Sequence, residues 1–137
     1  MNILHPVSFS DSDIAALKRL LEESEGISIS CNQEISGIWL TSDTRETELR
    51  LLLLMGFRLT VSRVCFVHRR QGTMTKVLSF LEDFCRREGV SEIVVQMVET
   101  SEMANWCLKN GFQPIPSATM VINGLLIGDY RREVVES

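Results

Sequence analysis

Residues 67–76 read VHRRQGTMTK, and the fold turns on how this stretch is read. It follows a strand-like segment carrying Leu59, Val61, Val64 and Phe66, and it leads into a segment where Met74, Val77, Leu78, Leu81 and Phe84 or Cys85 recur at helical spacing. A helix that starts near Gly72 presents unpaired backbone N–H groups and the positive end of its dipole to the loop before it. Such an end favours an anion. Arg69 and Arg70 add charge there, and Gly72 lets the backbone approach an anion with no Cβ in the way. The hydroxyls of Thr73 and Thr75 can donate to phosphate oxygens. From these residues alone two readings stand: a pyrophosphate cradle, or a polar strand-to-helix turn that carries a glycine.

Downstream the pattern is regular. Glu82 with Arg86, and Asp83 with Arg87, lie four apart on the polar side of the helix, which Gly89 ends. SEIVVQMV (91–98) reads as a buried strand and SEMANWCLKN (101–110) as a second helix stopped by Gly111. From Phe112 onward, with Pro114 and Pro116, a bent strand and a closing strand are expected, joined near Asn123-Gly124 or running through it.

Upstream, residues 3–9 read as a short edge strand that tolerates Pro6. A helix follows, capped by Asp11 or Ser12, with Ile14, Leu17, Leu20 and Leu21 on one stripe and Gly26 after its end. ISISC (27–31) and EISGIWL (34–40) carry strand composition, as one bent strand or two. Leu49 and Leu51 to Leu54 suit a helix by propensity, but a central strand also reads as a continuous apolar run. Two adjacent strands are the preferred reading of residues 45–66, with helix-then-strand as the alternative. The order is α/β: an antiparallel meander, then a strand-helix-strand-helix-strand half.

Bulk properties narrow the function. With 137 residues and 45% apolar content the chain has room for one core, so residues 1–137 are read as a single domain. A net charge of -4 argues against a generic nucleic-acid binder, although Arg63, Arg69 and Arg70 form a local basic spot. Cys31, Cys65, Cys85 and Cys107 have no CxxC spacing and no histidine at ligand spacing, so no metal site is expected and the thiols read as reduced and mostly buried. No signal-peptide pattern is present, and the longest apolar run is far below the ~20 residues of a membrane span. A cytoplasmic protein is the expectation. His5, His68, Trp39, Trp106 and the Arg131-Arg132 pair read as ordinary surface or packing residues.

Arg69-Arg70-Gln71-Gly72-Thr73-Met74 resembles the Arg/Gln-x-x-Gly-x-Gly/Ala signature of the GCN5-related N-acetyltransferase (GNAT) superfamily, with a strand before it and an amphipathic helix after it. Leu108-Lys109-Asn110-Gly111-Phe112 looks like the family's closing "Gly-Phe" segment, and EISGIWL is similar to its "Glu-Ile-x-Gly" strand. Together these cover most of the chain from about residue 34 to 130.

The resemblance implies a GNAT-like acyl-CoA N-acyltransferase fold, a splayed, mostly antiparallel α+β sheet flanked by helices. It implies acetyl-coenzyme A in the cleft, pyrophosphate on the backbone N–H groups of Gln71 to Thr75, Arg69 and Arg70 beside it, and pantetheine along Arg63 and Val64. The implied reaction is direct transfer of acetyl to a primary amine of a small molecule or protein. A base takes the amine proton, an oxyanion donor steadies the tetrahedral intermediate, and an acid reprotonates the thiolate.

Met74 stands where the family has a small residue. Cys107 replaces the family's tyrosine and is the candidate acid, and Thr100 replaces an asparagine. The nearest acidic candidates for the base are Glu48 and Glu99, while Asp43, Glu46, Glu48 and Asp129 are candidates for attracting a cationic amine. The alternative function is a GNAT-like module that binds acetyl-coenzyme A without turning it over. The expected partner is the amine acceptor, with a homodimer open and neither nucleic acid nor membrane involved.

Overall fold

In a computed structural model the structure describes residues 7–54, 56–67 and 72–134. Its elements are α1 (Asp11–Glu25), β1 (Ser30–Glu34), β2 (Gly37–Thr41), β3 (Glu48–Leu54), β4 (Arg58–Cys65), α2 (Thr73–Glu88), β5 (Glu92–Val98), α3 (Ser101–Lys109), β6 (Gln113–Ile122) and β7 (Leu125–Glu133). The seven strands form one sheet in the order β1-β2-β3-β4-β5-β7-β6. Among the described residues only β4 and β5 are paired in parallel, joined through α2.

Within residues 45–55, Glu48–Leu54 resolve to strand, as preferred over helix, while 45–47 are a bend leading into it. The leucine run is β3, and its burial alternates because it lies between β2 and β4 with one face on the core: Leu49, Leu51 and Leu53 are buried, while Arg50 and Leu52 are half-exposed. Tertiary pairing outweighs the helical preference of leucine here. ISISC and EISGIWL resolve to two strands with different bounds, since residues 27–29 precede β1 and Glu34 closes it. Ile35 and Ser36 make the turn to β2. Gly37 is required at that corner, because a Cβ there would lie 1.9 Å from the Leu51 carbonyl oxygen.

Three local expectations need correction. The α1 cap is Ser10, whose hydroxyl accepts from Asp13 N–H while the Asp13 carboxylate accepts from Ser10 N–H; this capping box places the cap one residue before Asp11 and two before Ser12. Asp83 does not meet Arg87. Arg87 reaches across to Asp13 on α1 at 2.8 Å, and Arg86 takes both Glu82 and Asp83. Of the expected strand at 3–9, residues 7–9 are irregular and the rest lies outside the described residues.

Alternate strand residues (Ile38, Leu40, Leu49, Leu51, Leu59, Val61, Ile93, Val95 and Tyr130) form a single core cluster with Leu17 and Leu21 of α1, Val77 to Phe84 of α2, and Ala104 and Cys107 of α3. The opposite face is polar. Arg50 holds Glu34 with two hydrogen bonds, Arg63 holds Glu48, and Arg58 and Arg131 share Glu92. Arg131 and Arg132 are therefore tied into the fold, the latter to Glu82 at 2.5 Å. Asn123-Gly124 is a two-residue turn with both φ angles positive, joining β6 to β7. No helix among the described residues is long and apolar enough to cross a membrane.

Candidate functional site

The sheet opens between its two parallel strands. β4 and β5 pair from Arg58↔Glu92 to Val61↔Val95, and the pairing stops there. Two irregularities lie just beyond the last pair. On β4, Arg50 faces Arg63 and Leu51 faces Val61, which leaves Ser62 as an extra residue that bends the strand. On β5, Gln96 and Met97 fall between the pairs Val95↔Tyr130 and Val98↔Gly128, and Met97 has a positive φ of 54°. That left-handed backbone is costly for methionine. The Asp129 carboxylate offsets it by accepting from Met97 N–H at 3.1 Å.

The parting strands enclose a cavity of about 380 Å³. Val64, Cys65 and Phe66 of the β4 end form one wall, Val95 to Thr100 the other, and Met74 of α2 with Met103 and Trp106 of α3 close it. The lining is mainly apolar, and its ionisable carboxylates are Glu99 and Glu102, both exposed. Over Ser62 to Cys65, β4 has no strand partner among the described residues on the side facing β5, which leaves that edge able to pair with an extended ligand.

At one end of the cavity stands the start of α2. Gly72 occupies the cap with φ 75° and ψ 16°, no side chain among the described residues caps the helix, and no acid lies in its first turn. Thr75 receives the Trp106 indole N–H at 3.1 Å, which leaves its own O–H able to donate. Thr73 differs from expectation. It is fully buried, with its hydroxyl 2.5 Å from Ser24 Oγ and 3.3 Å from the Glu25 carboxylate, so it serves the fold and is not available to a phosphate. Glu25 also accepts from Val67 N–H at 2.7 Å and Thr47 Oγ1 at 3.3 Å, joining α1, β3, the end of β4 and α2 at one point.

The expected site residues thus fall into four groups. Val64, Gly72, Met74 and Thr75 line the cavity or stand at the α2 start beside it. Arg63 is on the adjacent strand end with its side chain committed to Glu48, which also removes Glu48 as a free base. Arg69, Arg70 and Gln71 lie outside the described residues. Cys107 is fully buried and is not among the lining residues, and burial pushes its thiol up to about 12. Such a thiol holds its proton too tightly to release it to a thiolate that titrates near 8.5. Of the four free cysteines, Cys85 is buried like Cys107, Cys31 is half-buried and Cys65 is exposed beside the cavity. Trp106 lines the cavity, whereas Trp39 lies elsewhere, with Arg50 and Arg45 over its ring. Glu25 and the Ser62 and Met97 irregularities were not legible beforehand, because each depends on partners far along the chain.

This is the fold of the GCN5-related N-acetyltransferases: among the described residues, an open, mostly antiparallel seven-stranded sheet that parts between its two parallel strands, with three helices packed on it. No family model matches the sequence, nor does any curated protein sequence. Solved structures do match. The ribosomal-protein-S18-alanine N-acetyltransferase from Escherichia coli superimposes with a TM-score of 0.55 at 14% identity, over 96% of this chain and 94% of that one. The Bacillus subtilis acetyltransferase in complex with CoA gives 0.53 at 12% identity, over 78% and 98%. Nourseothricin acetyltransferase gives 0.53 at 12% identity over 72% of this chain, which spans only 65% of that longer protein. At these identities the likeness is one of fold.

Proposed function

We propose that the chain binds acetyl-coenzyme A in the cleft between β4 and β5 and transfers its acetyl group to a primary amine. The observation that carries this reading is the combination of a parted parallel pair, a mainly apolar cavity of about 380 Å³ between the strands, and an uncapped 16-residue helix starting at its end. The fit is chemical. An extended pantetheine arm offers amides to the edge of β4 at Arg63 and Val64, and the pyrophosphate suits the N–H groups of Gly72 to Thr75 with the Thr75 hydroxyl; the roles of Arg69, Arg70 and Gln71 in binding it rest on the sequence, since these residues lie outside the described residues. When bound, the thioester supplies the activated acyl group. The acetyltransferase structures of the same fold, one of them holding CoA, support this reading.

The chain's own residues then supply orientation and a proton acceptor. Glu99 lines the cavity and is exposed, so its carboxylate is placed to take the proton from an incoming ammonium, directly or through a water. An amine must lose that proton before its lone pair can attack. Cys107 is not assigned a part in this scheme, given its burial.

One observation favours a second reading, a module that binds acetyl-coenzyme A without turning it over. Met74, 9% exposed, extends into the cavity where a smaller residue would leave room, and Glu48 is occupied by Arg63. Calorimetry with acetyl-coenzyme A, together with free-thiol release over a panel of small amines and peptide amino termini, decides among the outcomes. Binding with thiol release supports transfer, and loss of release in Glu99→Gln supports its role. Binding without release for any amine establishes the module. No binding refutes both.

A further inference from the structure

The β5 wall of the cleft carries a bulge whose backbone is set from the neighbouring strand. Val95 pairs with Tyr130 and Val98 with Gly128, so Gln96 and Met97 together oppose the single Asp129 of β7. Gly128 is required beside it, because a Cβ there would lie 2.0 Å from the Ala118 carbonyl oxygen of β6. Asp129 thus stands opposite the bulge and accepts the Met97 N–H at 3.1 Å. The left-handed backbone of Met97 is one that glycine or asparagine adopts at less cost. A methionine held there points to a use for its side chain. Met97 is 62% exposed and lines the cavity, with Met103 and Trp106 half-buried across from it on α3. Of the two lining carboxylates, Glu102 sits in the first turn of α3 and answers the helix dipole, which leaves Glu99 for a cation. No lysine or arginine is among the described lining residues.

We propose that the acceptor is a primary amine with an apolar alkyl or arylalkyl body, its ammonium at Glu99 and its body against the Met97 side chain, with Asp129 a positioning residue that acts through Met97. This deepens the transfer reading and rests on it for the fate of the amine. Three arguments select the class. The flexible thioether of methionine adapts to varied apolar bodies. A diamine would bring its second charge against an apolar wall and lose hydration there without a partner. A peptide amino terminus would bring backbone polar groups that need partners, and the Met97 N–H is already taken by Asp129.

The test is an NMR titration of the full chain with propylamine, butylamine, hexylamine, the diamine putrescine and a trialanine peptide. It is run in saturating coenzyme A, or on the protein alone if coenzyme A does not bind. Affinity is expected to rise about threefold per methylene along the alkylamines, with the Gln96, Met97 and Val98 amides shifting and with putrescine and trialanine weaker than hexylamine. Met97→Asn suits the left-handed backbone, so it is expected to keep the fold and the coenzyme A affinity while weakening hexylamine about tenfold and propylamine little. Asp129→Asn retains a carbonyl acceptor for the Met97 N–H and is expected to behave as wild type, whereas Asp129→Ala is expected to copy Met97→Asn. A merely structural role for Asp129 would instead weaken hexylamine and propylamine alike. No amine binding, affinity that ignores chain length, tighter binding of putrescine or trialanine, wild-type selectivity in Met97→Asn, or equal loss of both amines in Asp129→Ala would each overturn the proposal. Thiol release separates it from the reading it rests on. Release that favours putrescine or trialanine keeps transfer and sinks the apolar acceptor, while methylene dependence with no release for any amine supports the amine site and refutes transfer.

Discussion

The starts of α1 and α2 are built in opposite ways. α1 closes its own end, with Ser10 and Asp13 exchanging two hydrogen bonds and Asp11 and Asp13 supplying negative charge against the dipole. α2 begins at a glycine with a positive φ, no capping side chain and no acid in the first turn, although it is the longer helix and the more deeply embedded in the core. α3 follows α1 in kind, with Thr100 accepting from Met103 N–H. Two helix starts are capped by a side chain from within the chain, and the one beside the cavity has no side-chain cap among the described residues. A capped start serves stability alone, whereas an open start keeps donors available for a ligand.

That contrast can be broken first at Gly72. Gly72→Glu is expected to lower coenzyme A affinity by about 100-fold or more in calorimetry, since it sets a carboxylate where a pyrophosphate would bind. Gly72→Ala separates charge from backbone strain. An added Cβ meets nothing within 4 Å, so only the left-handed backbone objects, costing about 1 kcal/mol of stability by denaturant titration. The reciprocal experiment is at α1. Ser10→Ala is expected to cost about 1 kcal/mol, a fall of about 3 °C in Tm, with coenzyme A affinity unchanged.

A pH series sharpens the same difference. Burial would raise the Asp13 carboxyl, but the Ser10 backbone N–H and the Arg87 guanidinium outweigh it and hold it below the ordinary carboxylate range. The stability this gives is present above the unfolded value near 3.8 and is lost as pH falls through the lower folded value. Glu92, held low by Arg58 and Arg131 against its burial, acts in the same direction. Melting temperature is expected to be level above pH 5 and to fall below about pH 4, with Asp13→Asn flattening part of that fall. The smallest effect is chemical. Titration with a thiol reagent at pH 8 should label Cys65 quickly and Cys31 slowly, and should leave Cys85 and Cys107 unlabelled until unfolding, because both are buried and held up to about 12.

How much of this was legible depended on how far apart the interacting residues lie. The amphipathic helix from Met74 to Cys85 and the buried strand expected at 91–98 rest on local spacing, and the structure agrees to within a residue; of the two readings of Asn123-Gly124, it takes the turn. The α1 cap was misplaced by one or two residues because Ser10, Asp11 and Ser12 are all competent caps, and only the reciprocal bond from Asp13 chooses among them. Arg87 looked paired with Asp83 at helical spacing, but a partner 74 residues away on α1 has the better geometry. The glycine loop announced the open helix start, yet the fate of the Thr73 hydroxyl was hidden, since its partners are 48 and 49 positions upstream. Cys107 drew attention by its place in a motif, and its depth became visible only when β7 and Phe112 closed over the α3 side of the core.

The junction at Glu25 has a kinetic side. Because one carboxylate gathers Thr47, Val67 and Thr73, the start of α2 is tied at one point to α1, to the residue before β3 and to the segment after β4. Removal of that carboxylate is expected to loosen all of these segments together, seen as local unfolding and proteolytic attack at this corner. A ligand that binds only the docked form adds about 2.7 kcal/mol at a hundred times its dissociation constant. Resistance to protease should therefore rise and fall with the cellular supply of that ligand, making the lifetime of the chain a readout of what it binds.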